Sequence, residues 1–339
     1  MKIGKTRNAF TLVELMIVVV IIAILAGLTT VGTRIAIRKA KDATVTLSLE
    51  QLSMALERYK NEIGEYPPDF TDLEAVTRHV RKRWPRCNYA DIFISEANSL
   101  TYDNGSKVFD WDVTTCGPAS ALVFWLGGIP DANGKPAGFF LSPTDPLCRD
   151  KGRTSTQREE PRYDFPDNTI SYGSYWFDQA LKGDLGIETV TCESGPAFQP
   201  GKDDAKPVVY FCASAPAENN LGDGDEIENG AYQLIVSRAE KYCAFKRLGS
   251  AVPYAKGVET DNNNEDYWTW HEPERFQLIH PGQDGLFSDP DLRADSVYPY
   301  PCTTFGKSEN ADNTLTDADD DNIVSFAEGG TLESLYPQK

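Results

Sequence analysis

The sequence predicts an α+β protein in which one long N-terminal helix lies on a small antiparallel β-sheet with long loops. Three observations carry that expectation. The first is an apolar run from Phe10 to Leu28, 19 residues with one charge, followed by a stretch without proline as far as Pro67. The second is a set of apolar residues at helical spacing inside that stretch. The third is a change beyond Tyr66 to short β-rich segments divided by polar turns.

Val45, Leu49, Leu52, Leu56, Tyr59 and Ile63 recur at spacings of 4, 3, 4, 3 and 4, a stripe on one helical face. This predicts a continuous helix from Phe10 to Glu62, 53 residues long, or roughly 80 Å at 1.5 Å per residue. Gly64 and the Pro67-Pro68 pair end it. Its first part, residues 10–31, has the ~20-residue length needed to cross a bilayer. Lys2, Lys5 and Arg7 make residues 1–9 a basic leader that the positive-inside rule keeps cytoplasmic, although Arg34, Arg38, Lys39 and Lys41 beyond the run oppose that rule. Residues 63–339 then form one globular domain outside the membrane.

Within that domain, PASALVFWLGGIP (118–130) reads as a short buried helix ending at Gly127-Gly128. ISYGSYWF (170–177), KPVVYFCA (206–213), GAYQLIVS (230–237) and RFQLIHP (275–281) read as strands, rich in β-branched and aromatic residues with Gly or Pro at their ends.

The formal charge is −18, from 33 Lys and Arg against 51 Asp and Glu. For a chain this acidic the phosphate backbone of nucleic acid is not expected as a partner, and calcium or a cationic surface suits it better. Seven cysteines, all at or beyond Cys87, contain no CxxC or zinc-ligand spacing. Behind an export segment they predict three disulfides and one free thiol; buried thiols in a reducing compartment are the alternative.

TDADDDNIVSFAEGG (316–330) is the strongest binding motif. Against the pattern D-x-[DN]-x-[DN]-G-x5-E it places Asp317, Asp319 and Asp321 at positions one, three and five, and Glu328 at position twelve. Alternate acids converge on one hard cation and a distal carboxylate closes the shell. Asn322 stands where the pattern has glycine, and flanking helices are not evident, so a loop site for Ca2+ is expected. Asp284, in the Gly282-Gln283-Asp284-Gly285 turn, and Asp223 and Asp225 of GDGDEIENG (222–230) are weaker candidates. A solvated acidic tail and an Asp/Gly hairpin loop are the competing readings.

The opening RNAFTLVELMIVVVIIAILAGL, with the leader Met1 to Ala9, then Phe10, Thr11, Leu12, Val13, Glu14 and the apolar run, resembles the class III signal of the type IV pilin and pseudopilin superfamily. The resemblance implies a pilin-like fold and cleavage by a prepilin peptidase between Ala9 and Phe10, with methylation of the new amine. Relatives commonly have Gly where this chain has Ala9. It also implies a task for Glu14, since a carboxylate near the bilayer interior costs ~2.5–3.5 kcal/mol at a helix centre and needs a partner. In the family the acid at the fifth mature position pairs with the N-terminal amine of a neighbouring subunit. A plain anchor or signal peptide with an interfacial glutamate is the alternative.

Two further segments carry the resemblance. ALERYKNEIGEYPPDFTDLEAV (55–76) is similar to the part of type II secretion major pseudopilins in which the long helix ends and a Tyr-Pro step leads to a short second helix. FQLIHPGQDGLFSDP (276–290) resembles their hairpin turn with a Gly-x-Asp-Gly signature. The implied function is a structural subunit of a type II secretion pseudopilus: single-pass in the bacterial inner membrane, head in the periplasm, assembled with itself, other pseudopilins and an inner-membrane assembly platform. Calcium in the C-terminal loop belongs to the same implication. The head is about twice the usual size for a major pseudopilin, but Glu14 is the acid that the large tip subunit lacks. A type IV pilus subunit and a non-polymerising, membrane-tethered periplasmic binding module stay open as alternatives.

Catalysis is not expected. The three histidines, His79, His271 and His280, form no metal-ligand pair, and neither a GxSxG elbow nor a phosphate loop occurs.

Overall fold

A computed structural model of the chain describes residues 12–87, 99–103, 108–112, 116–131, 134–147, 157–172, 196–200, 206–213, 243–245, 249–260, 266–287, 304–305, 314–315, 321–327 and 330–335. The chain divides into two compact units, Met1–Ala43 and Thr44–Lys339. Its longest element, α1 (Leu12–Ile63), begins in the first and ends in the second.

In the first unit α1 is a helix whose large apolar side chains, from Leu12 to Leu25, are 45–74% exposed. In the second unit the predicted stripe is buried: Val45, Leu49, Leu52, Leu56 and Tyr59 enter the core, while Ile63 is half-buried. Gly64, at φ 91°, closes the helix by donating its N–H to the Lys60 carbonyl (2.7 Å). Glycine is the residue that takes this left-handed position without strain.

A second helix, α2 (Leu73–Arg83), follows the prolines. Asp72 caps it, Oδ1 accepting the N–H groups of Glu74 (2.8 Å) and Ala75 (3.1 Å), and Arg81, Lys82 and Arg83 suit the negative end of its dipole. The apolar segment 118–130 forms the expected short buried helix, with a π-helical turn at Val123–Gly127. It stops at Gly128 (φ 76°), where a side chain would collide with the backbone of Gly138. Trp125 ties this turn to the helix-ending prolines by donating Nε1–H to the Pro68 carbonyl (2.9 Å).

Thirteen short strands are described: β1 (Ser99–Asp103), β2 (Val108–Asp112), β3 (Ile170–Tyr172), β4 (Pro196–Phe198), β5 (Val209–Cys212), β6 (Cys243–Phe245), β7 (Gly249–Ala251), β8 (Ala255–Thr260), β9 (Asp266–Trp270), β10 (Phe276–His280), β11 (Thr304–Phe305), β12 (Thr314–Leu315) and β13 (Ile323–Val324). The largest described sheet has three antiparallel strands in the order β13-β10-β5. Phe276 pairs with Cys212 and Ile279 with both Val209 and Val324, which makes β10 the centre. Antiparallel two-strand pairs β1-β2, β3-β4, β6-β7 and β8-β9 make up most of the rest.

The strands expected in 206–213 and 275–281 are β5 and β10, and only 170–172 of the segment 170–177 is described as strand. The segment 230–237 lies outside the described residues. Two features depart from the expectation of one small antiparallel sheet. The described strands form six separate sheets, and β11 pairs with β12 in parallel. Ladders of two or three residues have too little side-chain alternation to fix a partner from sequence.

The central sheet is buried on both faces. Tyr210, Phe276 and Leu278 join the α1 core, whereas their neighbours Val209, Phe211 and Ile279 enter a second core with Tyr254, Trp270 and Phe287. This follows from the two-residue period of a strand, which sends alternate side chains to opposite faces. Gln277, fully buried on β10, is satisfied by Tyr254 and His271: its Oε1 accepts Tyr254 N–H (2.7 Å), and its Nε2 donates to the carbonyls of Tyr254 (2.9 Å) and His271 (2.8 Å). Cys116 and Cys212 are buried and no disulfide joins two described cysteines. Cys148, Cys192 and Cys302 lie outside the described residues.

Candidate functional site

Two places collect the residues singled out by the sequence. At the N-terminal end, Glu14 is exposed in the first turn of α1. A carboxylate in the first turn of a helix lies at the positive end of the helix dipole, which favours it by ~0.3–1 kcal/mol. Around it lies the exposed apolar surface from Leu12 to Leu25, a surface of the kind that membranes or other subunits cover. Among the described residues no helix is long and apolar enough to cross a membrane. Ala9 and Phe10 lie outside the described residues.

The second place is the turn after β10. Gly282 N–H donates to the His280 carbonyl (2.8 Å) and Gly285 N–H to the Pro281 carbonyl (3.0 Å). Asp321, entering from the C-terminal segment, lays its carboxylate on this turn: Oδ2 accepts the N–H groups of Gln283 (2.7 Å) and Asp284 (2.9 Å). Lys206 braces the other side, Nζ donating to the carbonyls of Gly282 (3.1 Å) and Gln283 (2.7 Å). A Cβ on Gly282 (φ 40°) would fall on the Asp321 carboxylate, and one on Gly285 (φ 83°) would meet Lys206 Cε at 2.6 Å. The Gly-x-Asp-Gly spacing thus reflects two close approaches as well as two positive φ angles.

Asp284 Oδ1 accepts the N–H of Leu286 (2.7 Å). Burial pushes its carboxyl above the usual range, the Leu286 hydrogen bond pulls it down, and the nearby Asp321 carboxylate adds to the rise. The structure therefore brings Asp284 and Asp321 together. Among the described residues, Asp321 Oδ1 and the neighbouring, fully buried Asn322 Oδ1 have no hydrogen-bond partner. Asn322 is itself held by its Nδ2, which donates to Tyr254 Oη (2.8 Å) and the Phe287 carbonyl (3.0 Å). Asp317, Asp319, Glu328, Asp223 and Asp225 lie outside the described residues. Among the described residues no three His, Cys, Asp or Glu side chains gather as a metal cluster.

Sequence reasoning missed a polar network between the two helices. Tyr59 Oη lies 2.7 Å from His79 Nε2, His79 Nδ1 lies 2.5 Å from Glu65 Oε1, and Arg83 donates to Tyr59 Oη (3.0 Å) and pairs with Glu159. Burial lowers the His79 pKa while the Glu65 carboxylate opposes the shift; with Nδ1–H donating to Glu65, Nε2 accepts from the Tyr59 hydroxyl. The His79 hydrogen bond, with Lys82, holds Glu65 down to about 2, and burial raises the Tyr59 phenol to about 12. The available signal was the placement of His79 and Arg83 one turn apart on α2. The partners themselves come from distant segments.

Residues 4–30 match the prokaryotic N-terminal methylation motif. The match supports a membrane-anchored, pilin-like subunit, with processing by a prepilin peptidase and assembly with other pilin-like subunits. Neither a curated protein nor a solved structure matches the chain. The remaining structure is α+β with an N-terminal helix and small, mostly antiparallel sheets, an arrangement compatible with a pilin-like fold.

Proposed function

We propose that the chain is a structural pseudopilin of a type II secretion system. A prepilin peptidase cuts between Ala9 and Phe10, the mature helix anchors the protein once in the bacterial inner membrane, and the head lies in the periplasm. Subunits then polymerise as Glu14 of one copy pairs with the N-terminal amine of its neighbour, so that release of the acid from its isolation in lipid drives assembly. The observation that carries this reading is the methylation motif at 4–30 opening a helix whose first turn holds Glu14. The Tyr-Pro step into α2 and the Gly-x-Asp-Gly turn favour a secretion pseudopilin over a pilus subunit.

Calcium is the cation we assign to the acidic turn, and Asp321 Oδ1, buried beside Asp284 with no hydrogen-bond partner among the described residues, supports it. Such oxygens suit a hard cation. Asp317, Asp319 and Glu328 supply the remaining ligands in this reading.

N-terminal sequencing of the mature protein tests the processing step, with a methylated Phe10 as the expected first residue. A start near Gly27 would mean an ordinary secreted protein and overturn the proposal. Crosslinking of membranes tests assembly: wild type gives a ladder of multimers that Glu14→Ala abolishes. Monomer in both would support a tethered, non-polymerising module. For calcium, the melting temperature rises at millimolar Ca2+, and no rise would remove the metal from the proposal.

A further inference from the structure

Residues 78–86, RHVRKRWPR, hold five of the 26 Lys and Arg residues between Thr44 and Lys339, and no acid, in a unit that carries 49 Asp and Glu. One of the five turns inward. The Arg83 side chain is 2% exposed, pairs with Glu159, and stacks over Trp84 (4.3 Å) and Phe139 (4.6 Å). Trp84, edge-on to Phe139 at 4.9 Å, is thereby fixed at the end of α2. The others are exposed along α2 and just beyond it. Arg78 and Arg86 are exposed, and among the described residues neither has a carboxylate within ion-pair distance, while Lys82 is occupied by Glu65.

Against Arg86 lies an open cleft of about 410 Å³, lined by Trp84, Pro85, Phe140, Leu141 and Pro143; the one described carboxylate in its lining, Glu159, is already paired with Arg83 and Arg162. Leu141 is 58% exposed on it. A rigid aromatic, an exposed aliphatic and an uncompensated arginine together make an anchor pocket with a charged edge. Its complement is a segment that brings one apolar side chain and one or more carboxylates.

We propose that this cleft and the exposed basic residues of 78–86 form one half of a contact between copies of the chain, taking an acidic segment of a second copy; the inference rests on the filament reading above. Charge decides the occupant. Two bodies this acidic repel when placed side by side, and pairing this cationic island with the neighbour's acids turns the repulsion into attraction. The island and the acids are different surfaces, so the contact is heterologous, the kind that propagates into an open helical assembly instead of closing as a dimer. A membrane surface fits less well, because the same acidic body faces anionic headgroups with the wrong sign.

The test uses the full chain in its membrane, with a photo-reactive residue in place of Leu141. Irradiation is expected to give an adduct of two chains, its yield falling by about tenfold or more in the R78E/R86E variant and on raising the salt from low to molar concentration. An unchanged melting temperature of R78E/R86E shows that the head remains folded, and R78K/R86K retains the adduct. Two results overturn the contact while leaving the filament reading intact: a Glu14-dependent multimer ladder without any adduct from position 141, or an adduct to lipid in place of protein. If the ladder and the adduct are both absent, the filament reading fails and the contact fails with it.

Discussion

The two ends of α1 show one helix adapted to two surroundings. From Leu12 to Leu25 the large apolar side chains stand exposed all round, with Glu14 in the first turn, whereas from Val45 to Tyr59 most of them form one buried stripe, and only Leu47 and Met54 stand exposed among the polar residues. Helical geometry is the same in both. What differs is the width of the apolar surface: all-round apolarity suits lipid or a bundle of helices, and a stripe suits one folded head. The hydrophobic content of a helix therefore says less than how it is arranged around the axis.

Acid gives the largest expected contrast between the ends. His280 sits fully buried on β10, and burial, with Lys206 nearby, lowers its pKa to about 3. In the unfolded chain its pKa is about 6.5. Between those values the unfolded state binds more protons, so stability falls as pH falls from about 6.5 to about 3, by roughly 3–5 kcal/mol in all. Denaturant titrations at pH 7 and pH 4 are expected to show the loss in the head, and His280→Gln to flatten it. Retention of the full dependence in that variant would contradict the assignment.

Next in size is a pair of truncations along α1. Leu56→Ala, in the buried stripe, is expected to cost the head about 2–5 kcal/mol. Ile21→Ala, in the exposed run, is expected to change head stability by less than about 0.5 kcal/mol. Equal losses in urea melts of the full chain in micelles would erase the distinction between the ends. Tyr59→Phe is smaller, about 1–3 kcal/mol, since it leaves Arg83 and His79 without the hydroxyl they share. Asp321→Ala removes the acceptor of the Gln283 and Asp284 N–H groups and is expected to cost about 1–2 kcal/mol in calcium-free buffer, with the melting response to calcium weakened in the same variant.

Local signals carried most of what was legible. The α1 stripe, Gly64, and the strand character of 209–212 and 276–280 depend on residues close in sequence, and each emerged from spacing and turn chemistry. The same holds for Asp284, which the sequence tied to its turn. Other features depend on segments far apart in the chain. Gln277 in the middle of β10 gave no sign that the second face of the sheet is also covered, because Tyr254 and His271, which satisfy it, lie outside the sheet, between β7 and β8 and just after β9. Arg83 and Glu159 are 76 residues apart, and sequence alone shows two charges without a distance. Asp321 appeared in the sequence as one of a run of metal ligands; in the fold one of its oxygens first serves the backbone of the turn it closes.

β13 has a consequence for the order in which the head can be completed. It covers one edge of β10, yet it comes from residues 323–324 of a 339-residue chain. Until residues 323–324 have emerged, the central strand of the largest described sheet has an open edge, and open strand edges recruit stray strands. A product truncated just before Asp321 would leave that edge of β10 unpaired and is expected to precipitate.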